Sequence, residues 1–155
     1  MGLRLYSEFK SSNGKQYKIE IYDNEWTPAS SSFNVTSEGF DLQYNGETDD
    51  IVSPIVASQC VIQAYNTDSV FDTFLTHLQQ HQEDRFTMRI LLHDGSNYNM
   101  YWAGVILQDL VSDEDAVKPR VVEITATDGI GFLANKEYET IADVTIEDFI
   151  ESAVN

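Results

Sequence analysis

Cationic side chains are scarce in this chain. Its 155 residues hold 9 Lys plus Arg against 26 Asp plus Glu, a formal net charge of −17, and the sequence pI is near 4.2. A surface so poor in cations cannot grip phosphates by releasing counterions, which excludes general nucleic-acid binding. The same charge disfavours docking on an anionic membrane. Cysteine is scarcer still: Cys60 alone excludes an intrachain disulfide and fits a reducing compartment. Its place in an apolar alternating run favours a buried bystander over a reactive thiol. No apolar run approaches the roughly 20 residues of a membrane-spanning helix. The start, Met1 to Tyr6, lacks the apolar stretch of a secretory signal. Tyr6 also stands where a myristoylation start needs Ser or Thr. There is no glycine-rich phosphate loop, no repeat of fixed period and no low-complexity tract.

What is present is a foldable mixture. Apolar residues make up 42% and aromatics 12%, too many for a disordered acidic tail. The length suits one domain, large enough to bury a core without staples. Charge is unevenly placed. Arg4, Lys10, Lys15 and Lys18 balance Glu8, Glu20, Asp23 and Glu25 within residues 1–36, so residues 37–155 carry the whole −17. No Lys or Arg occurs between Lys18 and Arg85, which predicts a nearly pure anionic field over part of the surface.

Alternation with a period of two dominates the pattern. Leu3, Leu5, Ser7 and Phe9 share one face, as do Tyr17, Ile19 and Ile21, and Ser11-Ser12-Asn13-Gly14 between them carries hairpin chemistry. Trp26 to Ser32 reads as a Pro- and Ser-rich loop. Phe40, Leu42 and Tyr44 alternate with Asp41 and Gln43, and Ile55 to Tyr65 is strand-like with Cys60, Ile62 and Ala64 on one side. Val70, Phe71, Phe74, Leu75 and Leu78 then recur at helical spacing, and Asp68 or Ser69 is placed to cap that helix of about 12–15 residues. A hairpin follows, with Phe86, Met88, Ile90 and Leu92 leading into Asp94-Gly95-Ser96-Asn97 and Tyr98, Met100 and Trp102 returning. Gly104 within this strand predicts a bulge or a close backbone approach. Arg120 to Thr127 alternates with Val122, Ile124 and Ala126 inward, Asp128-Gly129 breaks the strand, and Ile130 to Asn135 reads as a short helical turn. Thr145 and Asp148 suggest a capping box for a last acidic helix. Seven or so strands with one helix inside an antiparallel meander predict an α+β, mainly antiparallel β fold, a sandwich or barrel with one flanking helix.

No catalytic pattern stands out. His77 and His81 are spaced like two metal ligands on a helix, but Leu78 replaces the Glu of the zinc-protease pattern and no third ligand is evident, so a solvated helix flank is favoured and no metal is expected. Asp49-Asp50, Asp113-Glu114-Asp115 and Glu147-Asp148 lack the alternating spacing and central Gly of a calcium loop and read as solvated turn charge. Carboxylates facing across a cleft, as in a glycosidase, cannot be picked out among so many acids. Ser, His and Asp occur without a Gly-x-Ser-x-Gly elbow. Tyr98, Tyr101 and Trp102 offer either a ligand platform, for example for carbohydrate, or core packing. Trp102 and Met100 share a face, which favours the core.

Three stretches together are similar to a known pattern. One is Phe86-Thr87-Met88-Arg89-Ile90-Leu91-Leu92, a turn, then Tyr101-Trp102-Ala103-Gly104-Val105-Ile106. Another is Val121-Val122-Glu123-Ile124-Thr125-Ala126-Thr127-Asp128-Gly129-Ile130-Gly131-Phe132-Leu133. The third is the strand from Ser58 to Tyr65 with its following helix. This arrangement resembles the N-terminal region of tailed-phage tail proteins of the baseplate-hub or tail-tip kind, in which a strand ending W-x-G-x-I precedes x-I-x-A-x-D-G-L-x-x-L. Ile130 stands here in place of the usual Leu, and the resemblance covers roughly residues 15–138.

The resemblance implies a tail-tube-like β domain over residues 1–138, with residues 139–155 an acidic segment that begins a further domain or docks on a partner. An end at Asn155 would suit the N-terminal portion of a longer hub chain. Trp102, Gly104, Asp128, Gly129, Ile130 and Leu133 are its structural motif residues. It further implies a virion protein of the tail, not an enzyme and without cofactor. Copies would assemble as a trimeric or hexameric ring with other tail proteins, with DNA only as passing cargo. The alternative from the residues is a carbohydrate- or receptor-binding module of a virion or cell surface.

Overall fold

The computed structural model describes residues 1–44, 57–80, 85–113 and 117–129. Within them the chain runs β1 (Gly2–Lys10), β2 (Gln16–Asp23), β3 (Ser31–Ser32), β4 (Asn34–Tyr44), β5 (Ser58–Asn66), α1 (Ser69–Gln80), β6 (Phe86–His93), β7 (Tyr98–Ile106), a 3-10 turn at Gln108–Leu110, β8 (Ser112–Asp113) and β9 (Arg120–Thr127). The fold is therefore mainly an antiparallel sheet with a single α-helix among the described residues, an α+β arrangement. Nine strands stand where seven or so were expected. The extra two, β3 and β8, are two-residue segments, and β3 replaces the end of the expected Trp26–Ser32 loop.

The strand order is β3-β1-β2-β6-β7-β9-β5-β4, with β8 beside β9. Every pairing is antiparallel except β1 with β3. β3 and β4 lie at opposite ends of this path, yet only Phe33 separates them. The sheet must curl until its ends meet at that residue. Phe33 N–H donates to the Tyr6 carbonyl at 2.9 Å, and the Phe9 and Phe40 rings touch across the gap at 6.2 Å. β1 and β4 share no hydrogen-bond ladder among the described residues, so the sheet is open.

Local chemistry explains the connections. Gly14 adopts φ 83°, and the Gly14 N–H donates to the Ser11 carbonyl at 2.9 Å, closing the β1–β2 hairpin as Asn-Gly allows. At the β6–β7 turn the Asp94 carboxylate accepts from Ser96 N–H and Asn97 N–H, both at 2.8 Å. Those two backbone donors and the Asn99 amide hold the Asp94 carboxyl down at about 2. Asp68 caps α1 by accepting from Val70 and Phe71 N–H at 3.0 Å. Ser69, the other candidate cap, is the first helical residue.

The core lies inside the curl, where α1 closes over it. Phe71, Phe74, Leu75 and Leu78 of α1 are buried against the inward faces of the strands, which carry Ile19, Ile21, Ile62, Ile90, Val122, Ile124 and Ala126 at 0% exposure. Each of these side chains larger than alanine contributes about 1.5–3 kcal/mol relative to leaving it in water. A ladder of rings from Phe33 through Phe71 and Phe74 to Phe86, with centroids 5.7–5.9 Å apart, ties helix to sheet. Val70, expected on the apolar helix face, is instead 44% exposed in the first turn.

Two bulges redirect side chains that simple alternation places otherwise. The β1–β2 register slips between Leu3 and Leu5, and Arg4 enters the interior at 2% exposure. The β6–β7 register slips so that Leu91 opposes Met100 and Ile90 opposes Trp102. Trp102 stays buried at 6%, while Met100 is turned out at 53%. The two do not share a buried face.

Candidate functional site

Four of the six residues that carry the sequence pattern, Trp102, Gly104, Asp128 and Gly129, meet at one joint. Trp102 of β7 donates its indole N–H to Ser58 Oγ at 2.9 Å. Ser58 opens β5, and its hydroxyl and its backbone N–H both donate to Asp128 Oδ2 at 2.7 Å. Asp128 N–H donates back to the Ser58 carbonyl at 3.1 Å. One serine, 4% exposed, thus ties β7 to β5 and to the residue that follows β9. Gly129 follows with φ 82°, a conformation glycine adopts without strain, and this turns the chain out of the strand.

Gly104 completes the joint. A Cβ there would overlap the Trp102 ring and the Thr127 carbonyl. Only a hydrogen fits, so the indole lies across the glycine and β9 comes close beside it. The close approach expected from the sequence is therefore present. Ile130 and Leu133, the remaining motif residues, lie outside the described residues, as do His81, Asp49-Asp50, Glu147-Asp148, the turn expected at Ile130 to Asn135 and the acidic segment 139–155.

The chemistry of the joint is that of a brace. The Ser58 hydroxyl is engaged by an indole donor and a carboxylate acceptor, and among the described residues no histidine bonds it as the base a nucleophilic serine needs. Ser58 is the member that sequence reasoning missed. A serine at the head of a strand carries no spacing signal of its own, and its role exists only once β5, β7 and β9 are side by side.

A second polar cluster, also unforeseen, sits at the C-terminal end of β2. Asp23, 0% exposed, accepts from Arg4 at 2.8 Å and from Arg85 Nε at 2.7 Å. Arg85 also pairs with Glu25 at 2.6 Å, and the Arg4 guanidinium stacks 4.3 Å from the Trp26 ring. Burial alone would raise the Asp23 carboxyl, but hydrogen bonds from Arg85, the Glu25 backbone and Arg4 outweigh it and hold the group below its usual range. Desolvation lowers Arg4 despite its partner. Two arginines and two carboxylates thus form one internal charge network.

The other candidates separate. Cys60 is 0% exposed, and burial pushes its thiol up to about 12, an inert side chain in the core. His77 lies half-buried near the end of α1. Among the described residues no three His, Cys, Asp or Glu are grouped to hold a metal ion, and no helix is long and apolar enough to cross a membrane. The three-ring platform of Tyr98, Tyr101 and Trp102 does not form. Trp102 is in the core, Tyr98 packs on His93 at 4.9 Å, and Tyr101 joins Tyr17 and Phe40 at 6.1 and 6.5 Å. Comparisons with protein-family models, curated proteins and solved structures return no match for this chain.

Proposed function

We propose that this chain is a structural protein of a phage tail, of the baseplate-hub or tail-tip kind, whose curled sheet is a tail-tube-like β-sandwich or barrel. The observation that carries this is the joint at Ser58. Trp102, Gly104, Asp128 and Gly129, four of the six motif residues of the resemblance, act together as a brace between three strands, as a family pattern made of structural residues requires. In this reading residues 1–138 are the tube-like domain. Copies assemble with other tail proteins into a trimeric or hexameric ring in the virion tail.

The charge fits that role. A −17 chain whose acids face a channel lets DNA slide without phosphate contacts to hold it. The chain acts without a cofactor and without turnover, and no membrane is involved. The test is negative-stain imaging of the purified full chain, alone and with the neighbouring tail proteins. Annular particles with a central channel are expected. Uniform single-chain particles under both conditions would contradict the proposal.

A further inference from the structure

The outward faces of the curled sheet differ in charge. On β1, β2 and β6, Lys18 lies 5.5 Å from the Tyr6 ring and 5.7 Å from the Tyr98 ring, and Arg89 lies 4.4 Å over Tyr22. Lys18 pairs with Glu20 at 2.9 Å and Glu8 at 3.8 Å. Arg89, Lys10 and Lys15 make no ion pair among the described residues. Three carboxylates, Glu8, Glu20 and Asp94 of the adjoining β6–β7 turn, therefore stand against four cations at this face and its hairpin tips, in a chain with only 9 cations.

The outward side of β4, β5 and β9 is the reverse. Glu38, Asp41 and Glu123 line a shallow groove there with Val61 and Gln63. Asp41 opposes Val61, and Gln63 opposes Glu123 across the register. The one cation of these strands, Arg120, sits at the far end of β9 and contacts Asp72 of α1 at 3.4 Å. In the strand order β7 separates the β2–β6 pair from the β9–β5 pair, so on a curled sheet the two faces look in different directions and one chain cannot join its own.

From this complementarity we infer that a second copy of this chain is the partner: the Lys10, Arg89 and tyrosine face of one copy docks on the Glu38, Asp41 and Glu123 groove of the next. The contact is head-to-tail, the kind that closes into a ring when the rotation per copy allows. Tyrosine and arginine are residue types enriched at such interfaces, and matched charge fixes the register and rejects like faces. The inference deepens the proposed ring and rests on it for closure, but the interface itself is read from these faces.

Two charge-reversed full chains test it: Lys10→Glu with Arg89→Glu, and Glu38→Lys with Glu123→Lys. Far-ultraviolet circular dichroism first establishes that each keeps the wild-type spectrum, and light scattering after gel filtration then gives the mass. The wild type is expected above one chain mass, each variant alone at 17.6 kDa, and an equimolar mixture of the two back above one chain mass, because each supplies the face the other needs. Wild-type assembly that survives either reversal overturns the inference and leaves the ring standing. A wild type that associates, loses association on reversal, yet shows no annulus in the microscope keeps the interface and removes the ring. A wild type that stays at one chain mass overturns the inference.

Discussion

Replacing Ser58 by Ala removes one hydroxyl and leaves the packing almost unchanged, so its cost isolates the brace. The Trp102 indole N–H, buried with its ring, loses its acceptor. An unsatisfied buried donor costs about 1–3 kcal/mol. Asp128 loses one of the two Ser58 donors to Oδ2 but keeps the backbone N–H. A hydrogen bond to a charged group contributes about 1.5–3 kcal/mol when removed, and the half-exposed position of Asp128 lets water replace part of it. The expected loss is therefore about 2–4 kcal/mol, which in a domain of this size lowers Tm by roughly 5–15 °C. Urea unfolding followed by tryptophan fluorescence gives the free energy, and calorimetry gives Tm. Trp102→Phe removes the same hydrogen bond from its other end, so a double-mutant cycle with Ser58→Ala should show a coupling of about 0.5–3 kcal/mol. A Ser58→Ala loss under about 0.5 kcal/mol, the range of an uninvolved surface change, together with zero coupling, would refute the brace.

Three further outcomes follow from the same structure. Gly104→Ala forces a methyl into the Trp102 ring and the Thr127 carbonyl, and overpacking of this kind should cost at least about 1–3 kcal/mol by the same unfolding assay; a neutral result would place the indole elsewhere. Asp23→Asn strands the buried Arg4 and the largely buried Arg85 and should cost about 3–5 kcal/mol at neutral pH. Because the folded Asp23 carboxyl titrates below its unfolded value, its contribution is present above the usual carboxylate range and is lost as pH falls through the depressed value; the acid limb of the stability profile should therefore be shallower in the variant, and identical limbs would count against the pair. Cys60, with its thiol raised to about 12 by burial, should resist a chromogenic thiol reagent at pH 8 until denaturant is added, whereas immediate stoichiometric labelling would place it at the surface.

Much of the fold was legible because period-two alternation is a local signal. Tyr17 to Ile21, Cys60 to Ala64 and Val122 to Ala126 lie on strands β2, β5 and β9, and the core-facing residues of α1 follow from the spacing of Phe71, Phe74, Leu75 and Leu78. Turn chemistry was equally readable at Asn13-Gly14, at Asp94-Gly95 and at Asp128-Gly129. The bulges were not. A one-residue slip leaves composition untouched yet exchanges the two faces, which is why Arg4 is inside and Met100 outside. At the site, Gly104 announced a close approach because a lone glycine in a strand has few other reasons to be there. Ser58 and the Arg4–Asp23–Arg85 cluster were invisible because their partners come from strands far apart in sequence, and no short-range pattern specifies which strands become neighbours.

The central claim, that the chain is a structural part of a phage tail, is tested most directly by where the protein sits in a particle. Gold-labelled antibody against the chain, applied to tailed particles that encode it, should mark the end of the tail distal to the capsid in electron micrographs. Label confined to the capsid, or particles free of label while the protein stays in the lysate supernatant, would contradict it.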